Sequence, residues 1–380
     1  MISISHKKDC CGCGACVQKC PKQCISMRAD PEGFLYPEVD TAVCVHCGLC
    51  EQACPILQAQ TYPQPEKAYA AFARDEQLRK QSSSGGVFSL LAGEILHRNG
   101  VVFGAAFDGD FRVHHIAVST EEALEKLRGS KYTQSRIGNA YVEAQSFLKK
   151  GKPVLFTGTA CQIAGLHTFL GRDYVNLYTA DVLCHGVPSP KLWERYLKEQ
   201  ERGNRAKVQQ VNFRDKTGGW KNYSVQLQFE NGHAYQVRFQ EDGYMRLFLS
   251  DICLRPACHD CKFKSLTRPS DITIGDCWGV EKSLPELDDD RGTSVVLVRT
   301  DKGRALLSCC EAAMRMQEAA VDVLLPPTAD SRKSVARHPN RERFFHKLST
   351  GADVKVLVKL LQPGLLRRAV RRCRRLLKRK

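Results

Sequence analysis

Eight cysteines within the first 54 residues repeat one spacing: Cys10, Cys13, Cys16 and Cys20 before Pro21, then Cys44, Cys47, Cys50 and Cys54 before Pro55. Three thiols spaced two apart on a tight loop can seat three corners of a [4Fe-4S] cube, and the fourth, carried off before proline, reaches a second cube. The spacing therefore gives Cys10, Cys13, Cys16 and Cys54 to one cluster and Cys44, Cys47, Cys50 and Cys20 to the other. Structural zinc would favour paired CxxC knuckles across a longer loop, and gives no reason for either proline. Cys11 and Cys24 are surplus to the eight and read as small residues packed beside the clusters.

A third group lies far downstream: Cys253, Cys258 and Cys261, then Cys277 in Gly275-Asp276-Cys277-Trp278-Gly279. Its spacing leaves a cube, a [2Fe-2S] rhomb and zinc all open. Cys184, beside His185, competes as fourth ligand, because strand-end loops of an α/β domain converge in space. Two turns into helices have the construction of an anion cradle. Ser82-Ser83-Ser84-Gly85-Gly86 offers small side chains and backbone N–H groups, and Thr157-Gly158-Thr159-Ala160-Cys161-Gln162 adds a thiol. Neither matches the dinucleotide or NTPase fingerprints, so neither function follows.

The elements that must position these residues are legible in outline. Residues 1–60 read as a two-cluster α+β ferredoxin domain, with Asp30-Pro31-Glu32-Gly33 as a type I turn between short strands. A connector, Thr61-Tyr62-Pro63-Gln64-Pro65, leads into an α/β region expected in two parts, 66–150 and 151–350. Strands are predicted at 67–73, 101–107, 153–157 and 175–183, with helices over 86–98 and from about Ala160. Ser119 with Glu122 reads as a capping box. An antiparallel portion is predicted at 208–213, 224–229 and 234–239, with Asn231-Gly232 as a two-residue hairpin turn.

The chain has 380 residues and nineteen cysteines, with no apolar run long enough to span a bilayer. It reads as cytoplasmic, where thiols serve metal and redox chemistry rather than disulfides. The formal charge is +16, yet Leu365 to Lys380 holds nine Lys or Arg and no acid, so the rest is 16 − 9 = +7. Leu365, Leu366, Ala369, Val370, Cys373, Leu376 and Leu377 recur at helical spacing, which makes 363–380 a basic amphipathic helix. Such a helix can lie on an anionic membrane surface at the inner face, and equally can be solvated or dock an acidic partner. Nothing supports nucleic-acid binding.

Five further motifs occur in order: Ser83-Ser84-Gly85-Gly86, Gly129-Ser130-Lys131-Tyr132, Gly158-Thr159-Ala160-Cys161-Gln162, Cys184-His185-Gly186-Val187-Pro188-Ser189-Pro190, and Ser270-Asp271-Ile272-Thr273-Ile274-Gly275-Asp276 before Trp278-Gly279. With them the chain resembles, over nearly its whole length, the beta subunits of coenzyme F420 hydrogenases and dehydrogenases and the related 7-hydroxymethyl chlorophyll a reductases. That family usually has proline where Ala160 stands and an aromatic residue where Cys277 stands, which favours Cys184 as fourth ligand. The resemblance implies FAD on the α/β domain, a third iron-sulfur cluster near it, and two-electron chemistry at the isoalloxazine. Ser83, Ser84, Gly85, Gly86, Gly158, Thr159, Cys161 and Gln162 would hold the cofactor, with Lys131 balancing negative charge. Cys161 is also the candidate proton donor or nucleophile. The expected function is an iron-sulfur flavoprotein oxidoreductase, passing electrons from the [4Fe-4S] clusters through FAD to a small organic acceptor, or in reverse. Its redox donor would be a small ferredoxin or a reduced deazaflavin. The alternative is an electron-transfer subunit that relays electrons to a partner protein.

Overall fold

A computed structural model describes residues 1–58 and 60–361; the basic tail expected at 363–380 lies outside them. Near the N-terminus β1 (Ile25–Ala29) and β2 (Leu35–Val39) form an antiparallel hairpin. Its turn is closed by Gly33 N donating to Asp30 O at 2.9 Å, with Asp30 Oδ1 accepting from Glu32 N and Phe34 N.

The rest of the chain is built on one large sheet. In chain order its strands are β3 (Lys67–Ala73), β4 (Val101–Phe107), β5 (Val113–Val118), β6 (Val154–Thr159) and β7 (Leu177–Val182); after the excursion of β8 (Val208–Asp215), β9 (Ser224–Phe229) and β10 (Ala234–Arg238) come β11 (Ile272–Asp276), β12 (Ser294–Val298) and β13 (Met314–Glu318). The spatial order is β13-β3-β12-β11-β7-β6-β4-β5. Four neighbours, β4, β6, β7 and β11, run parallel, and antiparallel strands flank them on both sides. Parallel strands must be covered on both faces, which is why they read as continuous apolar runs. Alternate residues of β4 and β6 show the two layers: Val102 and Leu155 pack with the helix Val87–His97, and Phe103 and Phe156 pack with the helices Ala140–Lys149 and Ala160–Leu170. A separate core joins β8 and β9 to the helices Pro190–Asn204, Gly243–Leu249 and Arg341–Ser349, and takes in Phe34 from the N-terminal hairpin.

Two local expectations need correction. The helix Glu121–Leu124 is capped by Thr120, whose Oγ1 accepts from Ala123 N, and not by Ser119. Three residues, 230–232, lie between the hydrogen-bonded Phe229 and His233 of the β9–β10 hairpin: Gly232 N donates to Phe229 O and Phe229 N to His233 O, with Gly232 at φ +82. A type I turn ending in a left-handed glycine fits the strand twist as a bulged hairpin, and Asn-Gly serves it as well as the two-residue form.

Candidate functional site

The carboxyl ends of β4, β6, β7 and β11 open into a cavity of about 700 Å³. Ligand crevices in open α/β sheets lie outside strand carboxyl ends, because the loops there diverge and present backbone N–H groups and helix starts. Ser83, Ser84, Gly86, Lys131, Gly158, Thr159, Cys161, Gln162, Cys184, Cys258 and Cys261 all line it. Residues from five separate motifs are thus brought to one place. Gly85 supports them from behind, its N–H donating to Ser294 Oγ at 3.0 Å, so that amide is not available as a cradle donor.

The serine loop is tied down at several points. Ser83 Oγ accepts from Ser130 N and Ser130 Oγ, Ser84 Oγ donates to Thr293 O, and Gly86 opens the helix Val87–His97. What the loop presents is chiefly the first turn of that helix, where N–H groups lack an intrahelical acceptor. On the second turn, Thr159 and Gln162 form a capping box, and Thr159 Oγ1 lies 3.1 Å from Cys161 Sγ.

The thiols gather on one side of the cavity: Cys11, Cys161, Cys184, Cys258 and Cys261. Two loops zipped together place the last three. Arg255 N donates to Val187 O at 2.9 Å, Pro188 and Leu254 form a bridge, and Val187 N lies 3.4 Å from Cys258 Sγ. Gly186 lets them close, since a Cβ there would come within 2.8 Å of Leu254 and 3.4 Å of Cys258. Burial pushes the Cys184 thiol up to about 12, and it raises Cys258 and Cys261 too, with the neighbouring sulfurs adding to each. The spatial group is not the one that spacing suggests. Cys253 is fully buried in the apolar core beside Leu247, Cys277 is buried with Trp220 in another, and Cys161 takes a place in the thiol set instead.

The lining is also cationic. Seven Lys or Arg line the cavity against one acid, Asp276, among the described residues. Arg214 meets Asp276 through two hydrogen bonds of 3.0 and 3.2 Å, donates to Tyr132 Oη and Ser83 O, and lies over Tyr223 and Trp278. Its Nε is buried without a partner among the described residues. Lys131 donates to Leu127 O, Arg128 O and Gly129 O, while desolvation pulls its ammonium down to about 7. It clamps its own loop. His115 is stacked on Phe156, with Nε2 donating to Thr157 O and Nδ1 accepting from Ser135 Oγ; desolvation lowers it to about 4, so it is neutral. Arg214 and His115 carry no motif of their own, and sequence reasoning missed both.

Most of the 270–276 motif holds the sheet rather than the cavity. Asp271 Oδ2 accepts from Thr179 N and Oγ1, and Asp181, fully buried, accepts from Ser270 Oγ, Thr273 Oγ1 and Arg268. These bonds fasten β7 to β11, and only the end of the motif faces inward.

The N-terminal cysteines form two sets. Cys20, Cys44, Cys47 and Cys50 line one small cavity, and Ile2 N donates to Cys50 Sγ at 3.2 Å. Cys16 and Cys54 both lie near Cys10, and each thiol is raised, chiefly by burial and further by the neighbouring sulfurs. Both loops turn through left-handed residues at matching places, Gly12 and Gly14 in one, His46 and Gly48 in the other. Cys20 of the first loop thus lies with the thiols of the second, and Cys54 of the second lies near those of the first. The first loop abuts the helix Ala160–Leu170, where a Cβ on Gly165 would sit 2.9 Å from Cys13 Sγ. Cys11 reaches beyond it to Cys161, whose thiol it raises, and both stand in the cavity wall.

Paired thiol loops packed on an α/β sheet with a cationic cavity define an iron-sulfur redox protein. Family models make this specific: residues 9–56 match a 4Fe-4S dicluster domain, 68–141 the N-terminal part and 151–323 the C-terminal part of the coenzyme F420 hydrogenase/dehydrogenase beta subunit. The chain belongs to that beta-subunit family. Among solved structures it is similar to a chain of the F420-reducing [NiFe] hydrogenase complex from Methanosarcina barkeri, with 18% identity, 80% of this chain and 92% of that chain covered, and a TM-score of 0.46. No curated protein matches. Among the described residues, no helix is long and apolar enough to cross a membrane.

Proposed function

We propose that this iron-sulfur subunit is a flavoprotein oxidoreductase that binds FAD in the 700 Å³ cavity and exchanges electrons between its clusters and a small organic acceptor. The observation that supports this most is the cavity's lining, in which five thiols and seven cations stand with one acid among the described residues. Its size suits a cofactor-scale ligand. The cations and the unpartnered Arg214 Nε suit a pyrophosphate, and the start of the helix Val87–His97 suits the same anion. Cys161, Cys184, Cys258 and Cys261 would hold a third cluster, with Val187 N supplying an N–H···S contact of the kind such centres use.

A bound flavin would supply conversion between one-electron and two-electron chemistry. The chain's residues do the rest. Arg214 and Asp276 fix the cavity's polar end, Lys131 holds the Gly129–Ser130 turn against Ser83, and neutral His115 keeps the β6 turn in shape. Anaerobic purification with iron and flavin analysis tests the reading. The expected result is one FAD with about twelve irons, four per cube. About eight irons and no flavin would replace it with a relay of electrons to a partner protein.

A further inference from the structure

Arg255 lies in the loop between Cys253 and Cys258, and its side chain is fully buried. The guanidinium leaves that loop and enters the ferredoxin. Nε donates to Cys10 O at 2.8 Å, Nη2 to Leu35 O at 2.9 Å and Nη1 to Gln134 Oε1 at 3.0 Å, and Nη2 lies 3.5 Å from Cys10 Sγ. Tyr36 covers it, with ring centre 4.3 Å away. Among the described residues these acceptors are two carbonyls, an amide oxygen and a sulfur, none of them a carboxylate. Four of the other five buried arginines meet a carboxylate, Arg79 with Asp289, Arg214 with Asp276, Arg268 with Asp181 and Arg341 with Glu32, and Arg299 is held by Leu266 O and Thr273 Oγ1. A buried cation needs a countercharge, because the cost of leaving water is several kcal/mol. The anion that Arg255 faces is the thiolate-bound centre to which Cys10 belongs.

We propose that Arg255 sets the reduction potential of the inner centre, the one held by Cys10, Cys13, Cys16 and Cys54. Reduction adds one negative charge to that centre, and a fixed positive charge in a dry site stabilises the reduced form. The outer centre, at Cys20, Cys44, Cys47 and Cys50, has no buried cation lining it among the described residues. The cations near it are the Met1 ammonium, paired with Glu51, and Lys22, which is exposed, so both are screened by water and salt. The inner centre therefore has the higher potential, and one electron passes downhill from outer to inner, toward the cavity, oxidising the first and reducing the second with no bond made or broken.

The inference rests on the cluster assignment above. Its test is an anaerobic redox titration of the full chain followed by electron paramagnetic resonance, with Cys47→Ser used to mark the outer centre's signal. The inner centre should titrate above the outer one. Arg255→Gln should lower the inner centre alone, by at least tenfold in its one-electron equilibrium, about 59 mV, and Arg255→Lys should lower it less. Equal shifts at both centres, no shift, or an inner centre below the outer in the unaltered protein would overturn it. If Arg255→Gln loses the inner centre, the order in the unaltered protein and the Lys variant decide. Iron analysis of the same samples separates the two failures, since missing iron in the unaltered protein removes the cluster assignment, whereas full iron with unshifted potentials removes only the role of Arg255.

Discussion

Arg214 concentrates the demands of the cavity in one side chain. Only 3% exposed, it gives both terminal nitrogens to Asp276, Tyr132 and Ser83 and leaves a buried Nε without a partner among the described residues. Hydrogen bonds to charged groups contribute about 1.5–3 kcal/mol, so Arg214→Met should weaken flavin binding at least tenfold in a fluorescence titration. The same loss should persist in Arg214→Met with Asp276→Asn, in which no unpaired carboxylate is left behind. His115 makes a different prediction. Desolvation holds its folded value near 4 against an ordinary 6.5, with His114 and Lys131 opposing its protonation and Thr157 O favouring it. The unfolded chain binds the proton first as pH falls, so the stability His115 contributes is complete above about 6.5 and is lost toward 4. Between pH 7 and 5 that amounts to about 2 kcal/mol. Denaturant titrations should show this slope, and His115→Gln should flatten it.

At the scale of elements, the zipped loops 184–190 and 253–261 decide which cysteines meet. The helix Ala160–Leu170 adds Cys161, and the core takes Cys253 away. Cys161→Ser should therefore cost about four irons per chain, whereas Cys253→Ser should cost none, as a colorimetric iron assay will show. Elements of this kind are legible in sequence when their signals are local. The run Val154-Leu155-Phe156, the Thr159 with Gln162 box and the turn at Asp30 to Gly33 each declare themselves within a few residues. The thiol set does not, because Cys11, Cys161, Cys184 and Cys258 come from four separate stretches that only the sheet brings together. Cys253 misleads for the same reason: spacing five from Cys258 says nothing of which way a side chain points. The Ser270 to Asp276 motif is conspicuous, yet its role in fastening β7 to β11 needed Asp181 and Thr179, about ninety residues away, to be seen.

For the whole molecule, the ferredoxin is part of the cavity's wall rather than a tethered module. Thr168 Oγ1 donates to Ala53 O, Lys19 Nζ to Phe169 O, and Tyr141 N to Gln18 Oε1, all along the face nearest Cys13. Gly165 sets that distance, and Gly165→Leu should wedge the domains apart. Iron content should stay full while stopped-flow reduction of the flavin proposed for the cavity slows when a reduced ferredoxin is the donor, and unchanged rates would mean electrons take another road.

The hairpin tip carries a further consequence. Arg341 grips Glu32 through two hydrogen bonds across 309 residues of chain, and Ser189 and Lys191 hold the backbone between them. On the ribosome, Arg341 emerges 309 residues after Glu32, once every strand of the large sheet has been made. The seam at the hairpin tip is therefore a late step of folding, laid over elements already synthesised.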